Sequence, residues 1–235
     1  MERRSFLRTC ALAGSAVAFA SRESVWADAA PRYYAKTRLV DIHGNSIRIG
    51  ALAEDTNFVF HYPYASTPCF LLKLGRSAAA ANDLRREDGA TYAWQGGIGP
   101  GRNLVAFSAI CAHKLAYPTR DVSFIRFQKD RSATSTGNVI HCCADHSIYD
   151  PAAGARVVAG PAPQPLAAIV LAHDPVRDEL YALGTIGAEQ FGPFFEKYAM
   201  RLALEYGSVD RARMSVSATT VVHELTNYCR NTIEC

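Results

Sequence analysis

The sequence predicts an all-β fold of mainly antiparallel strands, followed by a partly helical C-terminal extension. Short runs rich in β-branched and aromatic residues alternate with Gly, Asn, Asp and Pro turn signals between residues 37 and 186. After Gly187 the pattern changes to apolar residues at helical spacing. Because 49% of the 235 residues are apolar, the chain can bury a core without depending on disulfides or metals.

The N-terminal segment 1–27 is expected to be an export signal rather than part of the fold. Arg3 and Arg4, followed by Phe6 and Leu7, resemble the start of a twin-arginine signal. The apolar run that follows is well below the roughly 20 residues that span a bilayer, and small residues before the end of the segment offer a cleavage site. We therefore expect a periplasmic protein that folds before export, as cofactor-containing proteins do, with a membrane tether only if the signal stays uncleaved.

The charge of the chain argues against a nucleic-acid partner. The complete sequence has 25 basic and 22 acidic residues, a formal net charge of +3. Removal of segment 1–27 takes away four basic and two acidic residues, which leaves 21 against 20 and a charge of +1. A chain so nearly neutral has no basic field with which to attract phosphates.

The β-rich runs are predicted in chain order as follows. Five of them precede the first candidate site, at residues 37–42, 46–49, 57–64, 69–75 and 103–110. Residues 76–101 interrupt this series, and their Ala-rich and Gly-rich composition predicts a surface excursion with a short helix and a loop. Residues 122–128 and 138–142 alternate apolar and polar side chains around a turn, which predicts a β-hairpin.

The remainder of the chain is predicted to contain two more strand regions and then helix. Residues 155–175 and 179–187 are β-rich and enclose turn residues. A helical stripe, expected to pack against the β domain, follows and consists of Phe191, Phe194, Phe195, Tyr198 and Leu202. Residues 207–235 are ambiguous between strand and helix.

Two short segments carry a pattern of cysteine and histidine. Cys111-Ala112-His113 and Cys143-Ala144-Asp145-His146 give C-x-H and C-x-x-H, one at each end of the predicted hairpin. Two thiolates and two imidazoles suit a tetrahedral zinc ion or a [2Fe–2S] cluster with two Cys on one iron and two His on the other. Because each segment supplies one Cys and one His, the spacing favours the cluster.

These segments resemble the cluster loops of Rieske iron–sulfur proteins, and "GPAP" at 160–163 resembles their third loop. The sequences "YPYASTPCFLLKLG" and "DPAAGARVVAGPAPQPLAAIVL" are most similar to the small Rieske subunit of arsenite oxidase, and the similarity extends over roughly residues 1–190. The resemblance implies a Rieske-type antiparallel β domain over 28–186, with a small cluster-binding subdomain within about 105–166 and an extension over 187–235.

The resemblance also implies the ligands and their surroundings. Cys111 and Cys143 would bind the buried iron, and His113 and His146 the outer iron. Beside them, Ser147 and Tyr149 would donate hydrogen bonds that raise the reduction potential, and Pro161 and Pro163 would belong to a rigid loop that excludes water.

The function implied is that of an exported electron-transfer subunit without substrate chemistry of its own. It would pass single electrons between a larger, molybdopterin-dependent catalytic subunit and a soluble cytochrome or similar acceptor. Two alternatives stay open: the Rieske subunit of a quinol-oxidising cytochrome bc complex, and a zinc-stabilised binding module. A reddish, iron-containing protein would exclude the zinc module.

The second cluster segment departs from the family pattern. Many members carry a third cysteine in each loop, and these form a disulfide; here Ala116 and Asp145 stand at those positions, so packing alone is expected to hold the loops rigid. The family usually has one residue between the second histidine and the serine, whereas Ser147 directly follows His146. The charge of Asp145 is expected to lower the reduction potential.

The other cysteines and histidines have structural explanations. Cys142 is the alternative to Cys143 as ligand, and the family spacing favours Cys143. His141 is expected on a strand surface and Cys69 in the core. Cys229 and Cys235 could form a disulfide with each other or pair with a partner chain.

Overall fold

Antiparallel strands dominate the computed structural model, which describes residues 30–235. The predicted export signal lies outside these residues. The strands are β1 Arg32–Val40, β2 Phe58–His61, β3 Pro68–Lys73, β4 Ala81–Arg85, β5 Thr91–Trp94, β6 Leu104–Ser108, β7 Val122–Ser123, β8 Ile125–Gln128, β9 Val139–Cys142, β10 Ser147–Asp150, β11 Arg156–Ala159, β12 Ala168–Asp174, β13 Glu179–Ile186, β14 Ala218–Val221, β15 His223–Glu224 and β16 Asn231–Thr232. The α-helices are α1 Phe191–Lys197, α2 Ala199–Tyr206, α3 Val209–Ala212 and α4 Leu225–Tyr228, and Ile49–Ala51 and Pro151–Ala153 form 3-10 turns. The predicted all-β class is confirmed.

A large sheet of eight strands forms the body of the fold. Its strand order is β14-β1-β13-β12-β6-β3-β2-β15. Strand β14 pairs in parallel with β1, and β15 pairs antiparallel with β2 at the other end of the order. Only Val222 separates β14 from β15 in sequence, so the C-terminal part of the chain bridges both edges and nearly closes the sheet.

A small sheet, in the order β11-β10-β9-β8, positions the candidate site. The predicted hairpin is present as β8 and β9, with Ile125 opposite Cys142. Strand β9 then pairs with β10 in a second hairpin. Apolar side chains of both sheets, including Phe107 of β6 and Ile140 of β9, belong to one buried core. This shared core fixes the small sheet against the large one.

Two local predictions are wrong. Residues 76–101 contain no helix and instead form the antiparallel pair β4 and β5. The reason is a strand-like spacing of core residues, since Leu84, Tyr92 and Trp94 are buried on that pair. The run 46–49 is not a strand either, because it makes only the single bridge from Ser46 to Val40.

The predicted helical stripe is confirmed in α1 and α2. Phe191, Phe194, Phe195 and Leu202 are buried together, and Tyr117 packs edge-on against Phe194 with the ring centres 4.9 Å apart. The helices therefore support the chain just after the first candidate loop. None of the helices between residues 30 and 235 is long and apolar enough to cross a membrane. The domain boundary at residue 187 stays a prediction.

Candidate metal centre

The first loop follows β6 and turns tightly between residues 111 and 116. The Cys111 amide donates to the Ala116 carbonyl at 2.9 Å, and the Leu115 amide donates to the Cys111 carbonyl at 3.0 Å. Within this turn Cys111 is fully buried, whereas the His113 side chain is 35% exposed. The loop therefore points a thiol inward and an imidazole toward solvent.

The second loop connects β9 to β10 through four residues. Cys142 lies opposite Ser147 in the strand register, so these two residues form the base of the loop. The amides of Asp145 and His146 both donate to the Cys142 carbonyl, at 3.3 and 2.7 Å. His146 has a φ of 59°, in the left-handed region. These constraints bring the Asp145 side chain back over Cys142.

The two loops bring four ligand-type side chains to one place. The Cys111 and Cys142 sulfurs and a carboxylate oxygen of Asp145 all lie within 4.8 Å of one another. The His113 Nδ1 atom lies 2.7 Å from Asp145 Oδ2. The site is thus a pair of buried thiols beside a carboxylate and an imidazole.

Cys111 and His113 lie where the sequence predicted, but Cys143 does not. Its sulfur forms a disulfide with Cys235, so it offers no thiolate. Alternation along β9 explains the difference, because Cys142 points into the core with Ile140 while Cys143 lies beyond the end of the strand. In the structure Cys142, and not Cys143, therefore lies beside Cys111.

His146 also lies apart from the thiol pair. Its ring packs against the ring of His141, with the centres 5.6 Å apart, and both belong to a separate group with Cys235. His141 is fully buried, not on a surface, and neither ring nitrogen has a hydrogen-bond partner among the described residues. Burial first, and then the charge of His146, lower the pKa of His141.

The disulfide corrects two further expectations. Cys229 is a buried free thiol, so the Cys229–Cys235 disulfide, which the sequence left open, is absent. The second loop is fastened covalently, but to the C-terminus rather than to the first loop. The sequence offered no signal for this pairing, since 92 positions separate the two cysteines. Cys69 lies in the core, as predicted.

Two hydroxyl groups adjoin the thiol pair. The Tyr149 hydroxyl lies 3.4 Å from Cys111 Sγ and accepts a hydrogen bond from the Ala112 amide at 3.2 Å. Ser147 is fully buried at the base of the second loop, and its Oγ has no hydrogen-bond partner within residues 30–235. A buried hydroxyl without a partner costs free energy.

The third loop, Gly160 to Pro163, packs on the second. Gly160 has a φ of 86°, and a Cβ atom there would lie 2.3 Å from the His146 carbonyl oxygen. Only glycine permits this approach. Ala162 is buried, whereas Pro161 and Pro163 are exposed, so the loop covers the second loop mainly through its backbone and Ala162.

The site favours negative charge. The neighbouring Cys142 thiol lowers the pKa of Cys111 to about 6 against the effect of burial, and the Cys111 sulfur, together with burial, raises the pKa of Cys142. Burial would raise the pKa of Asp145, but hydrogen bonds, first among them that from the Ser147 amide, outweigh it and lower that pKa. A bound cation would stabilise a buried carboxylate that lies beside two buried thiols.

No family model matches the chain. Among solved structures, it is similar to the soluble domain of the Rieske protein II (soxF) from Sulfolobus acidocaldarius, at 26% sequence identity and a TM-score of 0.47. The similarity covers 65% of this chain and 78% of that chain.

Proposed function

We propose that the chain is a Rieske-type electron-transfer protein whose [2Fe–2S] cluster is held between loop 111–116 and loop 142–147. One observation carries the proposal: two buried thiols from separate loops meet beside an exposed imidazole, with hydroxyl groups in the same place. This donor set suits one iron bound by sulfur and a second iron bound by non-sulfur ligands.

The hydroxyl groups support a sulfide-containing cluster. The Tyr149 hydroxyl is placed to donate to the Cys111 sulfur. The buried Ser147 hydroxyl, at the base of the second loop, would donate a second hydrogen bond to the sulfur atoms of a bound cluster. Such hydrogen bonds stabilise the more negative, reduced state and raise the reduction potential. When bound, the cluster supplies one-electron transfer.

The exposure of the site indicates where electrons would pass. Cys111 and Cys142 are fully buried, and the Asp145 side chain is only 3% exposed. The His113 side chain is 35% exposed, so it is the part of this group that a redox partner can approach. His113 is therefore proposed as the electron exit, whereas His146, the second predicted outer ligand, lies beside His141.

Partners and location follow from the sequence resemblance. The twin-arginine pattern in segment 1–27 supports export to the periplasm. The similarity to the small subunit of arsenite oxidase supports assembly with a larger, molybdopterin-dependent catalytic subunit, and electron transfer to a cytochrome-like acceptor. In such an assembly the chain would carry electrons, and the larger subunit would perform the substrate chemistry.

A zinc site is the second candidate, because zinc accepts thiolate, imidazole and carboxylate ligands. The four side chains described here satisfy that requirement in type and number. The resemblance of both loops to the cluster loops of Rieske proteins, however, favours the cluster over a single zinc ion.

A redox titration of the purified full chain tests the proposal. We expect a coloured protein whose visible absorption bleaches reversibly on taking up one electron, and whose reduced form passes that electron to oxidised cytochrome c. A colourless protein with one tightly held zinc ion would overturn the proposal and favour the binding module.

A further inference from the structure

The Asp145 carboxylate occupies the position between the exposed imidazole and the buried thiols. Its Oδ2 atom lies 2.7 Å from His113 Nδ1 and 3.6 Å from Cys111 Sγ. Its Oδ1 atom accepts a hydrogen bond from the Ser147 amide at 3.0 Å. The backbone thus holds Oδ1, while Oδ2 points toward His113 and Cys111.

The spacing of the second loop agrees with this placement. Cys142 as the thiolate ligand makes the second motif C-x-x-D, from Cys142 to Asp145. His146 then becomes the single residue between the last ligand and Ser147. The family usually has one residue between the last ligand of this loop and the serine. With Cys142 and Asp145 as ligands, in place of Cys143 and His146, the chain follows that spacing. An independent feature of the sequence therefore selects the same residue as the geometry.

The only histidine that could compete from this loop is directed elsewhere. His146 packs on His141 and groups with Cys235, the residue that holds the disulfide to Cys143. Its amide is bonded to the Cys142 carbonyl at 2.7 Å, which fixes its backbone in the loop. For the His146 side chain to reach the thiol pair, the loop would have to turn His146 toward the thiols and Asp145 away from them.

We infer that Asp145 is the fourth protein ligand of the proposed cluster, so that the outer iron is bound by one imidazole, from His113, and one carboxylate. The inference rests on the proposed function. Carboxylate oxygen binds iron as imidazole nitrogen does, but it adds one negative charge to the centre. The added charge favours the oxidised state, so the cluster has a lower reduction potential than one with two histidines.

The alternative is that Asp145 only orients His113 through a hydrogen bond, as carboxylates often do for metal-bound histidines. In that case the outer iron needs a different fourth ligand. If His146 is that fourth ligand, two histidine nitrogens are bound to iron, whereas ligation by Asp145 leaves one. The two arrangements also differ in what happens when Asp145 is replaced by histidine. Both differences are measurable without any assay of a partner enzyme.

The test is pulsed electron paramagnetic resonance on the reduced full chain, with histidine labelled in ¹⁵N. We expect one strongly coupled histidine nitrogen in the wild type, an unchanged single coupling in the control variant His146→Ala, and two couplings with a raised reduction potential in Asp145→His. Loss of the cluster in Asp145→Ala, with the fold retained by circular dichroism, would agree with ligation.

Two couplings in the wild type, reduced to one in His146→Ala, would overturn the inference and leave the proposed function intact. An Asp145→His protein that binds the cluster with a single coupling and an unchanged potential would also overturn it. If Asp145→His does not fold, the couplings in the wild type and in His146→Ala still test the inference, because a second histidine ligand would exclude Asp145 as the fourth ligand. A wild-type protein with no cluster would overturn both the inference and the proposed function.

Discussion

Cys143 and Cys235 form a disulfide that joins the loop between β9 and β10 to the last residue of the chain. Their Cα atoms are 5.6 Å apart although 92 positions separate them in sequence. Just before Cys235, strand β16 pairs in parallel with β7, and Glu234 forms a salt bridge with Arg126 at 3.0 Å. The C-terminal tail is therefore part of the support of the candidate metal centre.

Breaking this disulfide should destabilise the protein while leaving the proposed ligands in place. For Cys235→Ser we expect the free energy of unfolding to fall by about 2–4 kcal/mol, because the unfolded chain regains freedom. Chemical denaturation measures the change, and Cys229→Ser is the matched control, since Cys229 is a buried free thiol whose hydrogen bond to Asn231 a serine can keep. Equal stability of Cys235→Ser and wild type would contradict the role of the disulfide.

Substitution of Cys142 and substitution of Cys143 should have opposite effects on the iron content of the protein. Cys142→Ser removes one of the two buried thiols and should abolish the cluster, whereas Cys143→Ser removes only the disulfide and should retain it. Iron and colour per chain measure the difference. Cys235→Ser, which breaks the same disulfide from its other end, is the control for Cys143→Ser. A colourless Cys143→Ser beside a coloured Cys235→Ser would restore Cys143 as the ligand.

Removal of the Tyr149 hydroxyl should lower the reduction potential. Tyr149→Phe loses the hydrogen bond to the Cys111 sulfur, and a loss of about 1 kcal/mol in the reduced state corresponds to ~40 mV. Voltammetry of the purified protein measures it. The control is Tyr92→Phe, because the buried Tyr92 hydroxyl has no partner in the described part of the chain. An equal potential in Tyr149→Phe and wild type would show that this hydroxyl does not contact the cluster sulfur.

Replacement of Gly160 should disturb the third loop. In Gly160→Ala the new Cβ would meet the backbone of His146 and Ser147 at a φ of 86°, so we expect a loss of about 1–3 kcal/mol in stability and faster loss of iron to a chelator. Gly192→Ala is the control, because no atom outside its own helix and its chain neighbours lies within 4 Å of the position of its Cβ. If the two variants behave alike in thermal unfolding and iron release, the third loop does not protect the site.

The sequence predicted the parts of the fold in which side-chain periodicity and burial agree. Strands β8 and β9 are predicted because Ile125 and Phe127 flank the polar Arg126, and Ile140 and Cys142 flank the polar His141. These four apolar side chains face the core. Strand β4 was missed because its Ala-rich start resembles helix, whereas pairing with β5 determines its structure. The short segments β14 and β15 form strands because they pair with β1 and β2 at the two edges of the large sheet.

In the second loop the structure brings Cys142 and Asp145 beside Cys111, whereas the sequence predicts Cys143 and His146 as ligands. Composition and spacing predict both loops, and the structure brings Cys111 and His113 of the first loop together with residues of the second. Whether Cys142 or Cys143 points into the site depends on where β9 ends, and the sequence pattern does not determine the end of a strand to within one residue. The partner of Cys143 depends on where the C-terminal tail lies, and that is a property of the whole fold.

The most direct test of the account is the iron and acid-labile sulfide content of the purified full chain. A [2Fe–2S] cluster between the two loops predicts two irons and two sulfides per chain, both lost in Cys111→Ser and both retained in His146→Ala. Zinc in place of iron, or iron without sulfide, would contradict the account.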